Sequence, residues 1–405
     1  MRVVGSIRRA RIRALGAVAV AVGLAAAGST TALAAPAPAT GHVVGTGTAT
    51  AVPDSYIVTL KANTGFQAQS AKGKDLADKY GAKVKDTYGT AFNGFSVAMD
   101  AKQAGRMAAD PDVALVEQDQ AVTADTTQSN PPSWGLDRID QANLPLDQAY
   151  TYPNSAGGGV TVYVIDTGVR ISHNDFGGRA SYGYDAVEND TVAQDGNGHG
   201  THVAATIAGS SYGVAKSAKI VAVRVLDNSG SGTTSGVIKG IDWVTAHAAK
   251  PAVANMSLGG GASQTLDNAV RRAVNAGVTF AVAAGNDGTN AASSSPARVT
   301  EAITVGATGN TDAKASWSNY GNVLDLFAPG VGITSAWNTS DTATNTISGT
   351  SMATPHVAGA AALYLSTHPS ATPSGVSSAL VAAATPGKVT GPGGGSPNKL
   401  LRITA

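Results

Sequence analysis

The sequence predicts an α/β protein: a body with a mostly parallel central sheet covered by helices on both faces, preceded by a small α+β unit. Three observations carry this. From Gly159 onward, short and nearly continuous apolar runs alternate with longer helical segments, the pattern of strands buried on both sides. Residues 54–122 read as β-α-β-β-α-β, the split ferredoxin-like order. Across 405 residues, 43% are apolar and 49 are glycine, enough for a large core and many tight turns. Charged residues are only 14%, against about 25% in an ordinary soluble chain, and a wholly disordered chain is excluded.

Taken in order, the chain begins with Arg2, Arg8, Arg9, Arg11 and Arg13 ahead of an apolar stretch at 14–27, too short to span a bilayer. Ala32-Leu33-Ala34 then fits a small-residue cleavage pattern, so 1–34 is expected to be a bacterial-type signal peptide and the product to be secreted. Arg8-Arg9 hints at twin-arginine export, although the residues after it fit that signal poorly. An Ala/Pro/Thr/Gly stretch at 35–52 reads as a linker. In the small unit, assigned 53–125, strands are expected at 56–60 and 113–116, helices at 66–80 and 101–109, and two strands around Asn93-Gly94 within 84–99. A seam at 124–133 precedes the body, assigned 126–405.

Within the body, 160–165 is a β-branched run ending at Asp166, and a helix is expected to start near His199. Strand 220–226, helix 234–249, strand 253–258, helix 265–276 and strand 278–283 follow. Ligands of such sheets sit at the carboxyl ends of the strands, so the residues just after each strand matter most. Asp166, alone, reads as a turn or cap residue. His199 and His202, in Gly198-His199-Gly200-Thr201-His202, read as a metal pair or as packing residues, and Ser351, in Gly349-Thr350-Ser351-Met352-Ala353, as an ordinary N-cap. Together they read differently, because a hydroxyl nucleophile needs a base and the base needs an orienting carboxylate.

These three segments resemble the signatures of the subtilisin family of serine proteases, in the branch of proteinase K and the aqualysin-type enzymes, over nearly all of 134–405. The resemblance implies a subtilisin-like three-layer fold, a serine endopeptidase, and Asp166, His199 and Ser351 as the catalytic residues. It also implies Asn286 as the side-chain oxyanion donor, and the preceding unit as an inhibitory propeptide that helps the body fold. Ser229, Gly230, Ser231 and Gly232, with Ser257, Leu258, Gly259 and Gly260, resemble the segments that flank an extended peptide. Ala283, Ala284 and Gly285 would line the pocket for the residue before the cut. No charge occurs in these segments, so apolar or aromatic residues are expected there and specificity is expected to be broad. His173, His202, His247, His356 and His368 are read as structural.

Two other classes are weighed. An α/β-hydrolase esterase would need the closing glycine of G-x-S-x-G, absent after Ser351, and orders its triad Ser…Asp…His. A catalytically dead binding protein would not need the intact set. The body carries 15 basic and 17 acidic residues, which argues against nucleic acid as a partner. Polypeptide substrates and the chain's own propeptide are the expected partners, with no membrane after signal removal and a monomeric state.

With no cysteine, disulfides and thiolate chemistry are excluded. Aqualysin-type relatives carry two disulfides, and Gly196, Asn228, Ala292 and Val323 stand where those cysteines align. Structural calcium is the expected substitute. Asp325 with the carbonyls of Thr300 and Ala302 matches one family site, and Asp137, Asp140, Gln141 and Asp147 resemble a second, in which Ala149 replaces a side-chain ligand. Surface acids without a metal are the alternative for both sets.

Overall fold

The computed structural model describes residues 39–48, 51–120 and 125–404. The signal peptide, parts of the linker and residue 124 of the expected maturation segment lie outside these residues. The chain divides into two compact units, the first ending at Gln120 and the second beginning at Ala121.

The first unit contains β1 (Val43–Val44), β2 (Ala51–Leu60), α1 (Ala71–Lys79), β3 (Lys83–Tyr88), β4 (Gly94–Ala98), α2 (Ala101–Met107) and β5 (Val113–Gln120). Its sheet runs β1-β5-β2-β4-β3. The strands β5, β2, β4 and β3 pair antiparallel, as the split β-α-β-β-α-β order requires. β1 adds a parallel edge strand, so part of the expected linker is in the sheet. The first helix starts at Ala71 rather than at 66. The Asn93 side chain pins the intervening segment, accepting from Ala68 N (2.8 Å) and donating to Phe66 O (2.9 Å), and Ser70 then caps the helix. That use of Asn93 also moves the hairpin turn ahead of Gly94, which opens β4.

The second unit comprises β6 (Asp125–Ser129), α3 (Trp134–Ile139), β7 (Ala149–Pro153), β8 (Thr161–Asp166), β9 (Ala180–Asp185), α4 (His199–Ala208), β10 (Lys219–Arg224) and α5 (Thr234–His247). It continues with β11 (Ala252–Met256), β12 (Gly260–Gly261), α6 (Gln264–Asn275), β13 (Thr279–Ala283), β14 (Ser294–Ser295), β15 (Ile303–Thr308) and β16 (Leu326–Pro329). It ends with β17 (Ile333–Ala336), β18 (Thr344–Ile347), α7 (Thr350–Thr367), α8 (Pro373–Ala383), β19 (Thr385–Pro386) and β20 (Lys399–Leu400). Asp125, at the start of β6, pairs with Pro153 of β7.

The central sheet has nine strands in the order β19-β20-β16-β15-β13-β11-β8-β10-β9. Every pairing is parallel except that of β19 with β20. Side chains alternate across a strand, so each continuous apolar run serves two cores. Val162 and Val164 of β8 pack on one face with residues of α4, α7 and α8. Tyr163 and Ile165 pack on the other with residues of α5 and α6. The carboxyl ends of β8, β11 and β13 therefore open along one edge of the sheet.

Candidate active site

Asp166 ends β8 fully buried, and its backbone carbonyl accepts from Val225 N (2.8 Å) and Leu226 N (3.2 Å), where the chain leaves β10. Its Oδ1 accepts from Thr167 N at 2.8 Å and lies 2.7 Å from Nδ1 of His199. A carboxylate on Nδ1 puts the ring proton there and leaves Nε2 as the free base. Asp166 Oδ2 is buried without a partner, so an imidazolium would compensate a charge that the fold leaves under-solvated. Burial pushes the His199 imidazole down, but the Asp166 charge and hydrogen bond, with the Asp195 charge, outweigh it and raise it above the ordinary value. His199 opens α4 against the turn after β8, and a Cβ on Gly200 would lie 2.1 Å from Gly168 O, so only glycine allows that approach.

Ser351 lies in the first turn of α7. Its Oγ donates to Ser257 O (3.0 Å) rather than to His199, while Ser257 Oγ donates back to Ser351 O (2.8 Å). The second contact has a cause in the sequence. Pro355, four residues on, has no N–H to give the Ser351 carbonyl, and Ser257 supplies the missing donor. Ser351 N–H has no acceptor among the described residues, as expected of a helix N-terminus. Asn286 Oδ1 accepts from Thr350 N (2.8 Å) and Thr350 Oγ1 (2.9 Å), which leaves its exposed NH₂ as a free donor.

Two depressions flank these groups. One, of about 510 Å³, is lined by Ala283, Ala284, Gly285, Asn286 and Ser351 on one side and Leu258–Gly261 on the other. The second, of about 570 Å³, is lined by His199, Ser229–Gly232, Ser257 and again Leu258–Gly261. The shared wall is β12, paired with β14. Gly285, at φ +103°, leaves no room for a side chain, since its Cβ would meet Asn319 Nδ2 at 2.3 Å. The expected strand-like edge at 229–232 is not a strand. Asp227 Oδ1 accepts from Ser229 N and Ser231 N (both 2.9 Å) and curls the segment into a turn, after which Thr233, the N-cap of α5, has extended dihedrals. One lining residue outside the singled-out segments is charged, the exposed Asp287.

This arrangement sets a buried carboxylate–imidazole couple at a strand end of a parallel sheet, and a hydroxyl at a helix start held against Ser257, which lines the same depression as His199. The subtilase family model matches residues 157–399. The chain belongs to the subtilase family. Residues 55–125 match the peptidase inhibitor I9 model, the propeptide of this subtilase. An extracellular serine proteinase from a Thermus species is 54% identical over 89% of this chain and 92% of its own. Alkaline serine exoprotease A of Vibrio alginolyticus is 51% identical over 87% of this chain and 67% of its own. A crystal structure of a cold-adapted subtilisin-like serine proteinase superposes with a TM-score of 0.66 at 57% identity, covering 67% of this chain and 98% of that one. The protein is thus a serine protease with a subtilisin-like fold.

Elsewhere in the subtilase, Asp325 is pushed up to about 6 by burial, against one donor, Thr304 N at 2.7 Å. Asp140 is likewise pushed up to about 6 by burial, with the charges of Asp147 and Asp137 adding to it. Its Oδ1 and Gln141 Oε1 are buried without partners, which is what a hard cation would satisfy. Asp137 accepts instead from Asp147 N (3.2 Å) and Gln148 N (2.9 Å), and Asp147 Oδ1 from Ala149 N (3.1 Å). Among the described residues no three His, Asp or Glu side chains are grouped as a metal site. The orphaned oxygens fit a cation; Thr300 and Ala302 could contribute only carbonyls beside Asp325.

The remaining histidines stand away from this chemistry. His202 and His356 are buried, lowered to about 4 by burial, and held by Ile333 O and Met352 O. His173 contacts Ala343 O, His247 stacks on Trp243, and His368 stacks on Tyr364. Sequence reasoning missed Thr350, Asn255 and Asn319. Thr350 precedes Ser351 and could have been suspected as a support for Asn286. Asn255 donates to Ser257 Oγ (2.9 Å), and Asn319 holds the 284–289 turn through Ala284 O, Asp287 N and Thr289 N. Asn319 had no signal, because its partners lie 30 to 35 positions away; Asn255 acts only through Ser257, whose own partner, Ser351, is 94 positions away.

Proposed function

We propose that this subtilase is exported, folds with the help of its own prosegment, and cleaves polypeptides with Asp166, His199 and Ser351 as a triad. The observation that carries this reading is the 2.7 Å contact between the fully buried Asp166 and His199 Nδ1. Ser351 Oγ leaves Ser257 O, passes its proton to His199 Nε2 and attacks the scissile carbonyl. Asp166 keeps the ring oriented and stabilises the imidazolium, which then protonates the leaving amine. The oxyanion takes hydrogen bonds from Ser351 N–H and Asn286 NH₂. An extended peptide lies along β12 and residues 231–233, with an apolar or aromatic side chain in the depression beside Ala283–Gly285. Asp287 at its opening adds tolerance for basic side chains, consistent with broad specificity.

Two further parts belong to this reading. The prosegment occupies the cleft as a product-like inhibitor after self-cleavage at about 124–127, leaving a monomeric enzyme of about 280 residues that engages neither nucleic acid nor membrane. Structural calcium binds at Asp325 with Thr300 and Ala302, and at Asp137, Asp140, Gln141 and Asp147, and takes no part in the chemistry.

The test of catalysis is hydrolysis of a denatured protein by the purified, matured enzyme with and without a serine-directed acylating inhibitor. Full activity in its presence rejects the serine mechanism. For the prosegment, residues 126–405 expressed alone are expected to recover little activity until the prosegment is added in trans, because a long-range parallel sheet nucleates slowly. Full spontaneous recovery rejects that role.

A further inference from the structure

Asp195 lies in the loop before α4, buried, and its carboxylate receives five hydrogen bonds. Oδ1 accepts from Thr167 Oγ1 (2.9 Å), Asn197 N (2.9 Å) and Gly198 N (2.8 Å). Oδ2 accepts from Thr201 N (2.9 Å) and Thr201 Oγ1 (2.5 Å). These donors come from the two segments that must be in register for catalysis. Thr167 follows Asp166 at the end of β8, while Gly198 and Thr201 bracket His199. Thr167 Oγ1 completes the link by accepting from Gly200 N (2.9 Å), and Thr201 Oγ1 accepts from Arg170 N (2.9 Å) beyond the β8 turn. A third segment joins through Asn338 Nδ2, which donates to Asp195 O (3.1 Å) from the loop between β17 and β18.

The first turn of a helix has amides without intrahelical acceptors, and here the N-cap, Gly198, has no side chain to offer. Asp195 and Thr167 supply the acceptors instead, together with Asn197 Oδ1 for His199 N (3.2 Å). Removing a partner from so buried a group leaves several donors unmatched at once.

We propose that Asp195 is a positioning residue for the proteolytic reaction: it locks the His-bearing helix start to the strand end that carries Asp166. The charges that act on the His199 ring are those of Asp166, in contact with it from the end of β8, and of Asp195 in the preceding loop, both favouring the imidazolium; His202, one turn along α4, is kept neutral by burial. The inference rests on the triad reading and adds a residue that never touches substrate.

Three full-length variants, expressed alongside the wild type and each freed of its prosegment by an added protease of another class that is then removed, test it: Asp195→Asn, Thr167→Val and Ser351→Ala. Asp195→Asn is isosteric, yet it removes the charge and turns an amide NH₂ towards the Thr201 donors. It is expected to lower kcat by about 10²-fold, the scale of a misplacement near 1 Å, with KM nearly unchanged. The acid limb of kcat/KM should also move to lower pH, because one negative charge no longer favours the imidazolium. Thr167→Val keeps the charge and breaks the bridge, so kcat should fall while the acid limb stays in place. If Asp195→Asn lowers the melting temperature but keeps both the wild-type kcat and the wild-type acid limb, Asp195 only supports the fold and the proposal is overturned. If Asp195→Asn does not mature, Thr167→Val decides alone, and an unchanged kcat there overturns it. Ser351→Ala separates this from the underlying assignment: proteolysis that survives it rejects the triad, whereas a dead Ser351→Ala beside unaffected Asp195 and Thr167 variants rejects only the present inference.

Discussion

Asp195 and Asp140 both carry a carboxylate into the second unit, and the chain meets them in different ways. Asp195 is given five donors, and Asp166 beside it has the His199 ring. Asp140 keeps one buried oxygen without a partner, next to the equally unpartnered Gln141 Oε1, and is pushed up to about 6. Asp325, with a single backbone donor on Oδ2, is in the same position. Around Asp195 the fold supplies its own donors, and at Asp166 the buried Oδ2 is left beside the His199 ring for an imidazolium to compensate, so the geometry is set once the chain is folded. At the two outlying sites the fold supplies acceptors in excess, which suits a cation from outside. The triad region should therefore respond to mutation through rate, and the outlying regions to ions through stability.

The largest expected effect is on the triad side. Ser351→Ala should lower kcat by about 10⁶-fold with little change in thermal stability, the size known for the same change in subtilisin. A single-turnover assay with matched melting curves checks it, and a large loss of stability would blur the contrast drawn here. Asn286→Ala should cost about 10²–10³-fold in kcat with KM little altered, again on the scale of the subtilisin oxyanion donor. Because Asn286 is exposed and Thr350 anchors only its Oδ1, the melting curve should scarcely move.

On the other side, chelation should lower the inactivation temperature and excess calcium restore it. A site held at about 1,000 times its Kd adds roughly 4 kcal/mol, comparable to what a single disulfide contributes. Thiol reductants should do nothing, there being no cysteine. Inactivation half-lives measured with chelator, calcium and reductant separate these; no response to chelator removes the cation from the comparison. The smallest shift concerns pH. His199 must be neutral to act as base, and because the Asp166 charge raises it, the acid limb of activity should lie on the high side of the ordinary imidazole value. A kcat/KM profile with its acid limb below about 6.5 would contradict the balance of charges around the ring. The linked stability has the opposite sense: protonated His199 favours the fold at low pH, and that contribution fades as pH rises through the raised value.

Local order in the sequence determined the strands of continuous apolar residues, the helices between them and the residues at strand ends where chemistry collects. Asp166, His199, Ser351 and Asn286 stood out as candidates because each sits in a short signature whose glycines and small residues have a local backbone reason. Residues whose meaning depends on distant partners were not legible. Asn93 reads as a turn residue, but its amide binds 66–68 and delays a helix. Ser257 reads as substrate-facing, but Pro355 makes its hydroxyl the donor for Ser351 O. Asp227 curls a segment that reads as an extended edge. Asp195 lies four residues before His199, yet its donors include Thr167, 28 positions away. Tertiary structure decided these cases because a buried polar group takes whichever partner the packed chain brings within about 3 Å, and sequence separation does not enter that choice.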